Sequence, residues 1–295
     1  MLCSCGSEAV YERIHEGNAY CASCLSHQVE QTCYRTVVHE HLIEKGDCVI
    51  VGVSGGKDSA VLLALLKKLQ DALPFSLKAL AVNEGIAGYR NESLSVARHW
   101  CATLGIEYET VSFPAGHELD AFARRKHCTY CGVLRRSLLN KGARELGATK
   151  LALGHNADDE SQSILMNVLN GDVTRFERLG ARPPSRGDRF VPRIKPLRNI
   201  MEKEIVAYAL VNKVPFYRSE CPYSHDNVRR DVLEVINALE QKRPGTKMKI
   251  LGFYDGLRQQ RDVRSNSLSH CLSCGEPSSG PLCRACVFLS TQASQ

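Results

Sequence analysis

The hexapeptide Ser54-Gly55-Gly56-Lys57-Asp58-Ser59 directly follows an apolar run, Cys48-Val49-Ile50-Val51-Gly52-Val53, and opens a stretch over 59–73 with leucines at helical spacing. Such an order reads as a buried strand, a tight turn and a helix, the start of a βαβ unit. Two glycines let the backbone approach a phosphate closely, and the unpaired N–H groups at the helix start point at the anion. The loop is not a Walker A loop, which needs a glycine five residues before Gly56 and a Ser or Thr after Lys57; Val51 and Asp58 stand there instead. Asp58 beside a bound phosphate suits Mg²⁺ coordination, and Lys57 suits neutralisation of phosphate charge. A glycine turn capped by Ser and Asp is the plainer alternative.

The rest of the chain supports an α/β fold around a parallel sheet. Apolar runs over 77–82, 106–113 and 150–154 read as strands, and amphipathic stretches over 92–104, 131–146 and 159–169 as helices. Two more helices are expected over 202–212 and 227–241, then a basic helical segment to about residue 264, while the proline-rich, basic stretch over 182–189 reads as a surface loop. At 295 residues the chain suffices for one α/β core with small appendages. No run is long enough to span a bilayer, and Met1-Leu2-Cys3-Ser4-Cys5 lacks the basic-then-apolar order of a signal peptide, so a cytoplasmic protein is expected, without membrane contact.

Fourteen cysteines in such a compartment point to metal or redox chemistry rather than to disulfides. Cys271, Cys274, Cys283 and Cys286 form two CxxC knuckles, the pattern of a zinc ribbon. At the other end Cys3, Cys5, Cys21 and Cys24 are less regular; zinc is expected there too, with Cys33, His15 and His27 as possible substitute ligands. Each terminal piece is too small to hold a core without a metal. The expected organisation is therefore an N-terminal zinc module over 1–30, a catalytic domain over 31–265 whose C-terminal helical part binds nucleic acid, and a zinc ribbon over 266–295. Cys48 and Cys101 sit among apolar neighbours and read as packing residues.

Cys128, Cys131 and the lone Cys221 form a third set. Three thiolates can hold three irons of a cubane and leave the fourth open. Zinc with a fourth ligand such as His127, a disulfide or persulfide between Cys128 and Cys221, and an inert turn are the alternatives, and spacing does not choose among them. A further segment, Gly154-His155-Asn156-Ala157-Asp158-Asp159-Glu160, follows an expected strand and can face the glycine loop across the carboxyl end of the sheet. Its acids are equally what a helix N-terminus attracts. Basic clusters at 124–126, at Arg135 and Arg136 and at Arg229 and Arg230, with a net charge of +6, permit a polyanionic partner.

In this order the motifs resemble the cytoplasmic tRNA 2-thiolation protein family, the TtuA-like enzymes with the PP-loop of N-type ATP pyrophosphatases, over nearly the whole chain. The resemblance implies a PP-loop core flanked by two zinc modules and an ATP-dependent tRNA sulfurtransferase. It implies that Val53 and Ser54 to Ser59 hold ATP phosphates and Mg²⁺, and that Val82, Gly154 and His155 lie near the nucleotide. Lys57, Asp58 and Asp159 would be catalytic, and Cys128, Cys131 and Cys221 would carry a [4Fe–4S] cluster. The implied reaction adenylates the C2 carbonyl oxygen of a uridine and replaces it with sulfur, which comes from a ubiquitin-like carrier protein or free sulfide; a homodimer is possible. Two positions depart from the family pattern: Arg135 stands where a Lys is common, and Asn83 where a strand-end acid is common.

Other outcomes remain open from sequence: thiolation of a T-loop uridine or a cytidine, an amide-forming PP-loop ligase, or a zinc-ribbon adaptor that binds tRNA without catalysis. Charged residues are only 24% of the chain, and unpaired cysteines and a Ser/Gln-rich tail run against a thermophilic source. Since T-loop thiolation serves life at high temperature, the wobble uridine is the expected target.

Overall fold

A computed structural model describes residues 1–118, 127–183, 187, 189–223, 228–259 and 268–290, the side chains of residues 127 and 228 excepted. The basic cluster at 124–126, part of the 182–189 loop, the segment 260–267 and the tail lie outside the described residues. The chain runs β1 (Tyr11–Arg13), β2 (Asn18–Tyr20), α1 (Ala22–His39), β3 (Cys48–Val53), α2 (Lys57–Leu69), β4 (Ser76–Asn83), α3 (Arg90–Thr103), β5 (Glu107–Ser112), α4 (His127–Glu145), β6 (Lys150–Ala152) and α5 (Ala157–Leu169). It continues through α6 (Val173–Phe176), β7 (Arg193–Ile194), α7 (Glu202–Val211), α8 (Val228–Lys242), α9 (Thr246–Gln259), β8 (Ser269–His270), β9 (Pro277–Ser278) and α10 (Arg284–Ser290).

The main sheet has the order β5-β4-β3-β6-β7, with every pair parallel. Strand β3 is central because both its faces are apolar. Val49, Val51 and Val53 join the core formed with α1, α2 and α7, while Ile50 packs with Leu80, Ala143 and Leu151 under α4. This is the period-two alternation of a strand covered on both sides. Helix α4 closes on the sheet at Gly142, where a Cβ would stand 2.9 Å from the Leu80 side chain. The chain reverses its winding between β3 and β6, so the crevice at their carboxyl ends is where such a sheet collects ligands.

Two features differ from the sequence reading. Helix α1 runs unbroken through residue 30, the expected edge of the N-terminal module, and Leu25, Val29, Cys33 and Val37 along it are all buried in the main core. The N-terminal cysteines are thus continuous with the catalytic domain through a helix, and Cys33 is a packing residue, its thiol pushed up to about 12 by burial. Helix α4 is described from His127, so Cys128 and Cys131 both lie on the helix, about one turn apart. Cys101 is fully buried as expected, whereas Cys48 is only half-buried. No described helix is long and apolar enough to cross a membrane.

Behind the crevice lies a buried ion network. Glu160 meets Lys195 Nζ at 2.5 Å and Arg198 Nε at 3.6 Å, and Arg198 grips Asp255 of α9 through two hydrogen bonds of 2.9 and 2.7 Å. Glu160 and Arg198 are 2% and 1% exposed, so neither charge can be left alone. Removing one partner of a buried pair costs about 3–5 kcal/mol. Glu160→Gln is expected to lower the unfolding free energy by about that amount, as read from urea denaturation; a loss below 1 kcal/mol would mean that the network is solvated.

Candidate active site

The loop between β3 and α2 is held by its own serines. Ser59 Oγ donates to the Gly56 carbonyl at 3.0 Å and accepts from Ser54 N–H at 3.2 Å, and Gly56 N–H donates to Ser54 Oγ at 3.3 Å. Gly55 sits at φ +85°, and a Cβ there would stand 2.1 Å from the Ser93 carbonyl oxygen of α3. Both the left-handed backbone and the close approach demand glycine. Asp58 lies in the first turn of α2, near the partial positive charge of the helix start. Val53, which ends β3, and Val82, near the end of β4, are both buried.

The segment after β6 meets this loop as expected. A Cβ on Gly154 would come within 3.0 Å of the Asp58 backbone, so the two turns pack main chain to main chain. Asn156 Nδ2 donates to Asp58 Oδ1 at 3.0 Å, which leaves the other carboxylate oxygen facing Lys57 Nζ at 3.1 Å. Lys57 also meets Glu202 Oε1 of α7 at 2.6 Å. Burial disfavours its charge, but Asp58 and Glu202 outweigh that and hold the ammonium above its ordinary pKa.

The acids of the second motif divide between scaffold and site. Asp158 accepts from Glu202 N–H at 2.8 Å and from Lys247 Nζ, and so joins α5 to α7 and α9. Asp159 forms a capping box with Asn156: each side chain accepts from the other's backbone N–H, at 3.0 and 3.3 Å. Desolvation raises its pKa above the usual carboxylate value. His155 lines a cavity of about 280 Å³ with Leu153, Ser163, Phe190 and Lys195, and none of residues 54–59 borders it. Burial first, then nearby Lys195, lowers His155 to about 4, so the imidazole is neutral, and its Nδ1 is buried without a hydrogen-bond partner.

Cys128, Cys131 and Cys221 converge on the same end of the sheet. Cys131 and Cys221 pack in one apolar cluster with Val82 and Tyr130, and Cys128 Sγ donates to the Tyr223 carbonyl at 3.3 Å. The trio interacts electrostatically but is not compact. Among the described residues, the groups of three or more potential ligands within 4.8 Å of one another are Cys3/Cys5/Cys21/Cys24 and Cys271/Cys274/Cys283/Cys286. Tetrahedral zinc with Zn–S bonds of about 2.3 Å spaces its sulfurs about 3.8 Å apart, and the two terminal sets show contacts of 3.6 Å, Cys5 to Cys21 and Cys274 to Cys283. In the ribbon, Cys283 N–H donates to Cys271 Sγ at 3.1 Å, and such backbone bonds lower Cys271 to about 6. His15 and His27 are not in the N-terminal group.

The link between loop and trio was not visible in the sequence. Arg90 is 3% exposed; its guanidinium donates to the carbonyls of Ser54 and Val82, each at 2.9 Å, and pairs with Glu84 at 2.5 Å. The other oxygen of Glu84 faces Arg135 at 3.6 Å, one turn along α4 from Cys131.

Comparison with known proteins matches this arrangement. Residues 25–239 match the PP-loop domain family. A probable sulfurtransferase of Methanocaldococcus jannaschii is 36% identical over 98% of this chain and 87% of its own length. The cytoplasmic tRNA 2-thiolation protein 1 of Danio rerio is also 36% identical, over 95% of this chain and 84% of its own. The chain belongs to the cytoplasmic tRNA 2-thiolation family of PP-loop proteins. Among solved structures, the U34-tRNA thiolase NcsA from Methanococcus maripaludis with its [4Fe–4S] cluster superposes with a TM-score of 0.86 at 34% identity, over 99% of this chain and 96% of that one. In this chain the PP-loop glycine that abuts α3, Gly55, leaves no room for a side chain. Gly55→Ala is expected to weaken binding of a fluorescent ATP analogue at least tenfold, because the new methyl meets backbone that cannot turn aside. Wild-type nucleotide affinity in that variant would show that the loop need not keep this shape.

Proposed function

We propose that this protein is an ATP-dependent tRNA sulfurtransferase that replaces the C2 oxygen of the wobble uridine with sulfur. The observation that carries this reading is the shared crevice: the PP-loop and the three-cysteine set stand at one end of the sheet, tied through Arg90, Glu84 and Arg135. A PP-loop ligase that uses ammonia has no need of the cysteines, and a non-catalytic adaptor has no need of an ordered loop. Family membership and the cluster-bearing thiolase of like fold support the same choice.

In this reading Ser54 to Ser59 surround the ATP phosphates with N–H groups and the Lys57 ammonium, while Val53, Val82 and Gly154 border the nucleotide. Lys57 exchanges Glu202 for a phosphate oxygen. Asp58, aimed by Asn156, would hold Mg²⁺, which neutralises phosphate charge. The uridine O2 displaces pyrophosphate from the α-phosphate, leaving an adenylated base with an electrophilic C2. Asp159, with its raised pKa, would take up the N3 proton that the uridine loses as its O2 is adenylated. Sulfur then replaces the adenylated oxygen and AMP departs.

Cys128, Cys131 and Cys221 would hold a [4Fe–4S] cluster, which supplies an open iron where a deprotonated sulfur can be kept from water. The two compact four-cysteine sets would hold zinc and brace the ends of the chain. The sulfur donor is a ubiquitin-like carrier with a C-terminal thiocarboxylate or free sulfide, the enzyme works in the cytoplasm, and a homodimer is compatible with these roles.

The two halves of the site are separable. Asp58→Ala is expected to abolish ATP-dependent pyrophosphate release while the iron content stays at the wild-type level. Cys221→Ser is expected to retain ATP binding yet lose both iron and 2-thiouridine formation, measured on anaerobically prepared protein. Full thiolation by iron-free Cys221→Ser would remove the cluster from the reaction.

A further inference from the structure

The segment that carries Cys221 also touches the PP-loop. Tyr217, four residues before Cys221, donates its backbone N–H to the Gly55 carbonyl at 2.8 Å. Its hydroxyl donates to Glu92 Oε2 of α3 at 2.5 Å, and its ring meets that of Tyr89 edge to face, with centroids 5.7 Å apart and planes at 63°. Tyr89 in turn packs against the apolar cluster that includes Val82 and Cys131, and Cys221 packs against the same cluster. The pair of rings thus runs from the glycine loop to the cysteine trio.

Tyr217 is held more firmly than its packing requires. The ring is half-buried and belongs to none of the hydrophobic clusters among the described residues, whereas Val214 and Phe216 just before it join the main core. Backbone, hydroxyl and ring edge are all tied, so the side chain presents a rigid aromatic surface at little entropic cost. An edge-to-face pair leaves one of its rings with both faces uncovered by the other, and such faces are what a planar base stacks on. Phe113 and Tyr130, which belong to the neighbouring cluster, are buried instead.

The reaction proposed above makes a demand that neither the loop nor the trio meets. The target uridine has to leave the stack of its RNA so that C2 can reach both the α-phosphate and the incoming sulfur, and enzymes that act on a base offset this unstacking with aromatic contacts of their own. The loop and the thiolates offer charge and hydrogen bonds but no flat surface. We propose that Tyr217, braced by Tyr89 and Glu92, is the platform on which the unstacked target uridine is held, with C2 turned toward the PP-loop and the trio. The inference rests on the functional reading above and adds the residue that positions the base. Because every base has a π-face, the platform positions uridine without selecting it, and it moves no proton.

The test uses the full chain, prepared anaerobically, and an anticodon stem-loop with 5-iodouridine at the target position, which crosslinks on irradiation to an aromatic ring stacked on it. Mass spectrometry of the digested wild-type complex is expected to place the crosslink on Tyr217. Tyr217→Ala keeps the backbone N–H that serves Gly55, so affinity for a fluorescent ATP analogue and melting temperature should stay at wild-type values. The same variant should lose the crosslink, and its kcat/KM for tRNA should fall about tenfold or more. Tyr217→Phe and Tyr217→Trp, which retain a ring, should recover most of that loss. A crosslink at another residue, or a wild-type kcat/KM in Tyr217→Ala, would overturn the inference. Equal losses of ATP-analogue and stem-loop affinity in Tyr217→Ala would assign the rings to the nucleotide and overturn it as well. Absence of any tRNA thiolation by the wild-type chain would instead defeat the functional reading, and the inference with it.

Discussion

A single buried guanidinium organises the carboxyl end of this sheet. Arg90 gives hydrogen bonds to the main-chain carbonyls of Ser54 and Val82, the entry to the PP-loop and the end of the neighbouring strand, and pairs with Glu84. Its charge is out of water, so removing Glu84 would leave it uncompensated at a cost of several kcal/mol. Because Glu84 also faces Arg135 on the helix that carries Cys128 and Cys131, the same pair sets the distance between nucleotide loop and thiolates. A reaction that needs an activated oxygen and an incoming sulfur on one carbon requires such a fixed separation, since misplacement by about 1 Å can cost a hundredfold in rate.

The second constraint is close backbone approach. Gly55 against Ser93 and Gly154 against Asp58 bring the PP-loop into contact with helix α3 on one side and with the turn after β6 on the other, which no side chain at those positions would allow. The PP-loop is therefore walled by main chain. The side chains of Lys57, Asp58 and Asn156 form a preorganised polar set beside it, and Glu202 holds the lysine charge in place.

Much of this was legible in the sequence because its signals are local. A strand, a glycine pair and a helix start occupy adjacent residues at 48–73, and two CxxC knuckles declare four ligands within 16 positions of chain, from Cys271 to Cys286. What was hidden depends on distant contacts. Glu84 and Arg90 look like a loop acid and a helix-start base until the fold buries both. His155 follows the strand end that faces the PP-loop, and only the fold shows that it also lines a separate cavity. The boundary drawn at residue 30 followed the cysteines, whereas the apolar residues Leu25, Val29, Cys33 and Val37 at helical spacing carry α1 across it into the core. Asp159 shows why acids at a helix start are ambiguous: its carboxylate caps α5, and burial raises its pKa at the same time.

The central claim is that one crevice joins ATP cleavage to sulfur insertion at the wobble uridine. The most direct measurement is nucleoside mass spectrometry after anaerobic incubation of the purified protein with ATP, sulfide and tRNA, using one tRNA that lacks the wobble uridine and one that lacks the T-loop uridine. The expected result is 2-thiouridine at one per tRNA with ATP present, retained without the T-loop uridine and absent without the wobble uridine. Sulfur incorporation that proceeds without ATP, or that survives loss of the wobble uridine, would contradict the account.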